Sequence, residues 1–195
     1  KIFEKNIVEP WMYAEAYLFI KSYLILNKNS YVFEYGSGSS TFYFSKYCKK
    51  LISIESDSNW HKLMSDFIYK NSFNNINLIC NPPENDNNIQ VLSKYKTAFK
   101  NFDYKNFQSY VNIIDKFEKS FDVIIIDGYC RSACIEKAIK KIKKKGLIVV
   151  DNSARERYQQ GIKELNKISK RIDFKGPTSY GGGFDTNSIF IMNNA

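Results

Sequence analysis

Apolar positions along this chain follow two rhythms that take turns. Residues 11–26, after Pro10, carry apolar side chains at mixed three- and four-residue spacing, which predicts a helix ending near Asn27-Lys28-Asn29. A short β-prone run, Tyr31-Val32-Phe33-Glu34-Tyr35, is closed by Gly36-Ser37-Gly38, and helical periodicity resumes over residues 39–49. The pair repeats as a strand over 51–55, a helix over 59–69 and a third strand over 76–80. Strands that alternate with helices imply an α/β fold built on a parallel sheet.

Periodicity weakens over residues 81–119, where an Asn/Asp-rich opening leads to aromatics at Tyr95, Phe99, Phe102, Tyr104, Phe107 and Tyr110. This stretch reads as an irregular insertion of loops and short helices, its aromatics serving either as a substrate lid or as core. Regularity returns at 121–127, a continuous apolar run suited to a central strand buried on both faces. A helix over 133–144, a buried strand over 146–151 and a helix over 155–170 follow. Residues 171–175 and 187–192 supply two edge or antiparallel strands around Gly181-Gly182-Gly183. The expectation is one domain over 1–195, with an N-terminal helical segment over 1–30.

Composition narrows this picture only modestly. With 44% hydrophobic and 16% aromatic residues, 195 residues can bury a core, so disorder is excluded. No apolar run approaches the roughly 20 residues that span a bilayer, and the start lacks a signal-peptide pattern, so a cytoplasmic protein without membrane contact is expected. The first residue is Lys1 rather than Met, consistent with a trimmed or partial chain. Cys48, Cys80, Cys130 and Cys134 have no CxxC spacing, and one histidine is too few for a zinc cluster, so reduced thiols are expected. A formal charge of +9 favours anionic partners, nucleic acid among them. Much of it lies in Lys140, Lys141, Lys143, Lys144 and Lys145, which read as the solvated end of a helix. Oligomeric state is not encoded in any pattern visible here.

Chemistry concentrates where strands end. Glu34-Tyr35-Gly36-Ser37-Gly38 follows a strand and opens a helix, a setting in which glycines let the backbone approach a cofactor and free helix N–H groups bind polar atoms. Glu55 ends the next strand, 19 residues past Gly36, where a carboxylate can accept both ribose hydroxyls of an adenosine. Two adjacent strand ends would then hold one nucleoside. NAD is the rival ligand, but its fingerprint wants a third small residue where Thr41 stands, and Glu34 would repel a pyrophosphate. The same carboxylate suits the cationic amino group of a methionine moiety.

On these residues the chain resembles class I S-adenosylmethionine-dependent methyltransferases. The stretch 31–39 is similar to their motif I, with Glu34 as its acid and Gly36-Ser37-Gly38 as its glycine loop, and Glu55 matches their ribose-binding acid. More closely, it resembles small bacterial methyltransferases carrying Glu-Tyr-Gly-Ser-Gly-Ser-Ser-Thr in motif I and later Asp-Gly and Asp-Asn-Ser, a group without a settled substrate class. The resemblance implies a Rossmann-like, mostly parallel seven-stranded sheet with helices on both faces and an antiparallel C-terminal strand. It implies S-adenosylmethionine as cofactor, held by Glu34, Gly36, Ser37, Gly38, Ser39, Glu55 and Ser56.

Asp127-Gly128 ends the central strand and Asp151-Asn152 the next, on the side where doubly wound folds build their sites. Asp127, Asp151 and Asn152 resemble the magnesium set of catechol-type O-methyltransferases. The alternative is that Asp127 meets substrate or cofactor directly while Asp151 and Asn152 cap the following helix. Arg131, Arg155 and Arg157 either border the cleft and bind an anionic substrate or form surface pairs, and Tyr110 joins Arg131 and Arg155 as a candidate substrate contact. Asn81-Pro82-Pro83-Glu84 resembles the motif of amino-group methyltransferases but follows the wrong strand and lacks its aromatic residue, so a proline-stiffened loop is expected. His61, beside Trp60 in a helix, can flank the adenine but makes a poor base, and no nucleophile–base–acid triad is recognisable. The expected activity is methyl transfer to an oxygen of a small molecule or sugar, with Asp127 as base, metal ligand or acceptor-orienting group. RNA methylation and a non-catalytic cofactor-binding module are the alternatives.

Overall fold

The computed structural model describes residues 9–85, 92–97, 102, 104–118, 120–177 and 183–193. Its centre is the apolar run Phe121–Ile126, strand β6, whose last four residues are fully buried. On one side β6 pairs in parallel with β1 (Tyr31–Tyr35), and β1 with β2 (Lys50–Glu55), which pairs with β3 (Ile76–Cys80). On the other side β6 pairs in parallel with β7 (Ile142–Val150). Strand β9 (Phe184–Met192) runs antiparallel to β7, and β8 (Ser169–Pro177) antiparallel to β9. The order β3-β2-β1-β6-β7-β9-β8 gives a seven-stranded, mostly parallel sheet with one antiparallel strand, the Rossmann-like arrangement expected. Winding reverses between β1 and β6, and the crevice beyond the carboxyl ends of those strands is where such sheets bind ligands.

Strand alternation sorts the core into two layers. Val32, Leu51, Val123, Ile125, Leu147, Val149 and Ile189 face α1 (Ala14–Leu26) and α2 (Ser39–Ser45). Phe33, Tyr35, Ile54, Ile124, Ile126, Ile148 and Val150 face α5 (Arg131–Ala138) and α6 (Gln159–Ile168). The same layer takes in Tyr110 and Val111 from α4 (Gln108–Asn112). Helix α3 (Ser58–Lys70) is N-capped by Asp57, whose carboxylate accepts from the backbone of Asn59 and Trp60. The insertion is only partly irregular. Strands β4 (Glu84–Asn85) and β5 (Lys105–Asn106) pair, 3-10 turns occupy Ser93–Tyr95 and Ile113–Lys116, and Tyr95, Phe107 and Tyr110 are core rather than cover. Phe99, Gly181 and Gly182 lie outside the described residues.

Several boundaries differ from the sequence pattern for identifiable reasons. The first helix starts at Ala14 rather than at Trp11, because the backbone N–H of Tyr13 is drawn to the Asn187 side chain at 2.8 Å. Helix α2 stops at Ser45 rather than Lys49, where the Asn75 amide donates to the carbonyls of Ser45 and Cys48. The lysine run is not a helix end. Lys140 and Lys141 form a turn after α5, and Lys143, Lys144 and Lys145 start β7 in a bulged register opposite β6. There Lys143 pairs with Asp122 at 2.9 Å and Lys145 adopts φ 60°. Residues 156–158 form a 3-10 turn rather than the first turn of α6, and Ser169 and Lys170 leave that helix for β8. All four cysteines are free thiols. Among the described residues no helix is long and apolar enough to cross a membrane.

Candidate active site

At the carboxyl end of β1 the chain turns through Gly36 with φ +90°, a conformation that favours glycine. A Cβ there would meet Gly128 N at 2.9 Å and the Asp127 carbonyl carbon at 3.0 Å, so the loops after β1 and β6 touch through bare backbone. Gly128 is constrained in turn, since a Cβ on it would lie 1.9 Å from the Tyr110 hydroxyl. Gly38, by contrast, has no described atom within 4 Å of where a Cβ would sit, which leaves the main chain open to approach.

Glu55 sits at the end of β2 and is 6% exposed. One carboxylate oxygen accepts from Ser37 N at 3.1 Å and Ser37 Oγ at 2.6 Å, the other from Ser56 N at 2.7 Å and Asp57 N at 2.8 Å. The glycine loop and the carboxylate are therefore one preassembled unit. Trp60 adds a clamp that the sequence reading missed: its indole N–H donates to Ser37 O at 2.9 Å. Ser39 and Ser56 are buried beside this unit.

Glu34 does not face the cleft. It is fully buried, and its carboxylate accepts from Ser40 Oγ, Thr41 Oγ1 and, at 2.7 Å, Ser53 Oγ. The expected contact with a cationic amino group is replaced by a staple joining β1, α2 and β2. Strand parity is the cause: Glu34 is in phase with Val32 and so points under α2, opposite Ser53 in the pairing register. Burial raises its pKa from 4.5 to about 7, against the lowering pull of the three hydroxyls.

Beyond β6 and β7 the organising group is Arg131. A left-handed residue, Cys130 (φ 51°), swings the first residue of α5 under the strand ends. Arg131 is 7% exposed, and the donors of its guanidinium are all taken. Nε donates to Gly128 O at 3.0 Å; Nη2 to Asp127 O at 2.8 Å and Asp127 Oδ1 at 2.7 Å; Nη1 to Asp151 O and, at 3.1 Å, Asp151 Oδ2. Its face rests on the Tyr158 ring, 5.1 Å from the centroid. Arg131 is therefore a buried staple, and the expectation that it binds substrate is corrected. Sequence spacing could not separate the two, because both roles need a cation four residues past Asp127.

The magnesium set does not assemble. Arg131 is bonded to both Asp127 and Asp151, as a cation between them would be. The second Asp151 oxygen accepts from Asn187, and the Asn152 amide (φ 49°) turns away to Asp185. Neither Asp151 nor Asn152 caps a helix. Among the described residues no group of three His, Cys, Asp or Glu side chains is arranged to hold a metal ion. The donor set does not fit the ion, and a bound guanidinium explains the two acids without it.

Asp127 keeps 38% of its side chain exposed. Desolvation on the cleft floor and the charge of Asp151 push its pKa well above the usual carboxylate range, with Arg131 pulling the other way. Together Gly36, Ser37, Glu55, Ser56, Asp127 and Tyr110 line one cleft of about 280 Å³, with Arg155 and Tyr158 on its far wall. Arg155 remains 45% exposed, 3.8 Å from Asp185. The Tyr110 hydroxyl is buried at this cleft with no hydrogen-bond partner among the described residues, and burial raises its pKa, so it stays a donor.

No protein-family model matches the sequence, and no curated protein is significantly similar to it. Solved structures do match in shape. An O-methyltransferase from Bacillus cereus in complex with S-adenosylhomocysteine aligns with a TM-score of 0.67 at 14% identity, covering 93% of this chain and 82% of that one. The O-methyltransferase TomG from Streptomyces achromogenes, in complex with S-adenosylmethionine, aligns at 0.66 and 11% identity over 98% and 85%. An rRNA methylase from Streptococcus thermophilus aligns at 0.62 and 10% identity over 90% and 95%. At such identities the likeness is one of fold: this chain has the Rossmann-like fold of those methyltransferases.

Proposed function

We propose that the chain transfers a methyl group from S-adenosylmethionine to an oxygen of a small molecule or sugar. The observation that carries this reading is the convergence on one cleft of a glycine turn, a ribose-height carboxylate and an acid of raised pKa, at the switch point of a methyltransferase-type sheet. The cleft fits such a cofactor: Gly38 leaves its backbone open, Glu55 is fixed by four donors and Tyr110 offers an unused hydroxyl. Glu55, Gly36, Ser37, Gly38, Ser39 and Ser56 would hold it, with Glu34 acting behind them. When bound, that cofactor supplies an electrophilic methyl group on a sulfonium.

The protein's own part is alignment and proton management. Rotation of the Ser37 side chain frees one Glu55 oxygen for a ribose hydroxyl. Asp127, anchored through Oδ1 on Arg131, receives the acceptor's proton. Its raised pKa makes it a better base once ionised, so the rate rises with pH through that pKa. The +9 charge favours RNA as acceptor, yet Lys143, Lys144 and Lys145 start β7 while the cleft lies beyond the opposite ends of the parallel strands. A small acceptor is therefore the better reading.

Calorimetric titration tests the first half. S-adenosylhomocysteine is expected to bind and to weaken by about 10- to 100-fold in Glu55→Ala, the cost of a charge-assisted bond; binding of NAD instead, or of neither, overturns the reading. Asp127→Asn keeps an oxygen for Arg131 and should retain that binding while losing about 10²- to 10⁴-fold in rate on a proven acceptor. An unchanged rate would remove Asp127 from the chemistry.

A further inference from the structure

A second cavity, of about 450 Å³, adjoins the proposed cofactor cleft, and Gly128, Tyr129, Arg131 and Tyr158 line both. That volume is in the range of small-molecule sites. One wall is the segment around the 3-10 turn Ser93–Tyr95, contributing Lys94, Lys96 and Thr97; the other is the turn Glu156–Tyr158, contributing Arg157. The N-terminal turn of α5 lies between them, with no side-chain cap on its backbone.

The lining has a definite chemistry. Three cations, Lys94, Lys96 and Arg157, line the cavity with one carboxylate, Glu136, which is bonded to Lys94 at 2.7 Å; the charge of Arg131, also in the lining, is already met by Asp127 and Asp151. Ser93, Thr97, Ser132 and Gln160 add neutral hydrogen-bonding groups, and Tyr129 and Tyr158 add aromatic faces. The cationic wall is braced. The Tyr158 ring carries Arg157 at 5.0 Å as well as Arg131 at 5.1 Å, the Ser132 hydroxyl donates to Arg157 O at 3.2 Å, and the Cys130 thiol donates to Lys96 O at 3.5 Å. A braced guanidinium loses little side-chain freedom on binding an oxyanion.

We propose that this cavity is the acceptor site, and that it takes a small hydroxylated molecule bearing one phosphate or carboxylate group, held by Lys96 and Arg157. Its hydroxyl is then presented to Asp127 across Gly128, which lines both cavities. The inference rests on the methyltransferase reading and adds the substrate class to it.

The test uses protein saturated with S-adenosylhomocysteine and three probes on one carbon skeleton: ribose 5-phosphate, ribonate and ribose. Calorimetry or ligand NMR is expected to show binding of the phosphate or the carboxylate, naming the anion, and none of ribose. Arg157→Gln and Lys96→Gln, both at exposed positions, should each weaken that binding about tenfold or more. Lys144→Gln, exposed near the amino end of β7 and so at the opposite end of the parallel strands, should leave it unchanged. The proposal is overturned if neither charged probe binds, if Lys144→Gln weakens binding equally, or if a short single-stranded RNA displaces the probe with steep salt dependence. S-adenosylhomocysteine affinity separates the two levels: its absence in wild type defeats the methyltransferase reading itself, whereas normal affinity without anion binding defeats only this inference.

Discussion

Two buried acids at the same edge of the sheet are accommodated in opposite ways. On the β1–β2 side, Glu34 has no cationic partner among the described residues and is solvated by three hydroxyls, from Ser40, Thr41 and Ser53. On the β6–β7 side, Asp151 is 6% exposed and, with Asp127, shares the guanidinium of Arg131. The hydroxyl cage leaves a carboxyl that titrates near neutrality, and the guanidinium makes a charged knot that also fixes the backbone of both strand ends. The β1–β2 half is thus held by hydrogen bonding to neutral groups, and the β6–β7 half through charge.

The largest test of that contrast is Arg131→Met. Removing the guanidinium leaves two carboxylates facing each other in a partly buried site, at an expected cost of about 3–5 kcal/mol and a fall in melting temperature on the order of 10 °C. A loss below about 1 kcal/mol would mean that the knot is no stronger than a surface pair. Arg131→Lys is expected to recover little, because one ammonium cannot supply five directed donors.

Glu34→Gln probes the other half through pH. The folded-state pKa of Glu34, about 7, lies above its ordinary 4.5, so the folded state binds the proton more tightly. Wild-type stability from this group is fully present below pH 4.5 and is lost as pH rises towards 7. The glutamine variant cannot ionise, and its melting temperature should decline less between those two pH values; an identical slope in both proteins would rule Glu34 out as the source.

Tyr110→Phe has the smallest expected effect and the sharpest sign. Deleting a buried hydroxyl without a partner should leave the unliganded protein as stable or stabilise it by about 1 kcal/mol. If the hydroxyl serves a ligand, S-adenosylhomocysteine or acceptor binding weakens by about fivefold. Lost stability with unchanged binding would make Tyr110 purely structural.

Legibility in the sequence followed the range of the forces involved. Strands β1 and β3 were readable to the residue, because a β-prone run bounded by turn residues is a local signal. The Gly36 turn and Glu55 were readable for the same reason, each lying at a strand end. Helix ends failed where a distant side chain intervened, as Asn75 does at α2 and Asn187 does ahead of α1. Glu34, Asp151 and Asn152 have residue types that suit ligands, and each has a partner remote in sequence, Ser53, Asn187 and Asp185 in turn, while for Arg131 the spacing to Asp127 suits either role. For Glu34 a local clue did exist, since its parity with Val32 assigns it to the buried face beneath α2.

The bare contact between Gly36 and Gly128 has a consequence for how such a protein can diversify. The loops after β1 and β6, which the proposed function assigns to cofactor and acceptor, abut through main chain, so no side chain stands between them to set their spacing. Residues 92–97 and 155–158 lie outside that contact. An engineer, or natural selection, can rewrite those walls for a new acceptor while the distance between the reacting partners stays as the two glycines set it.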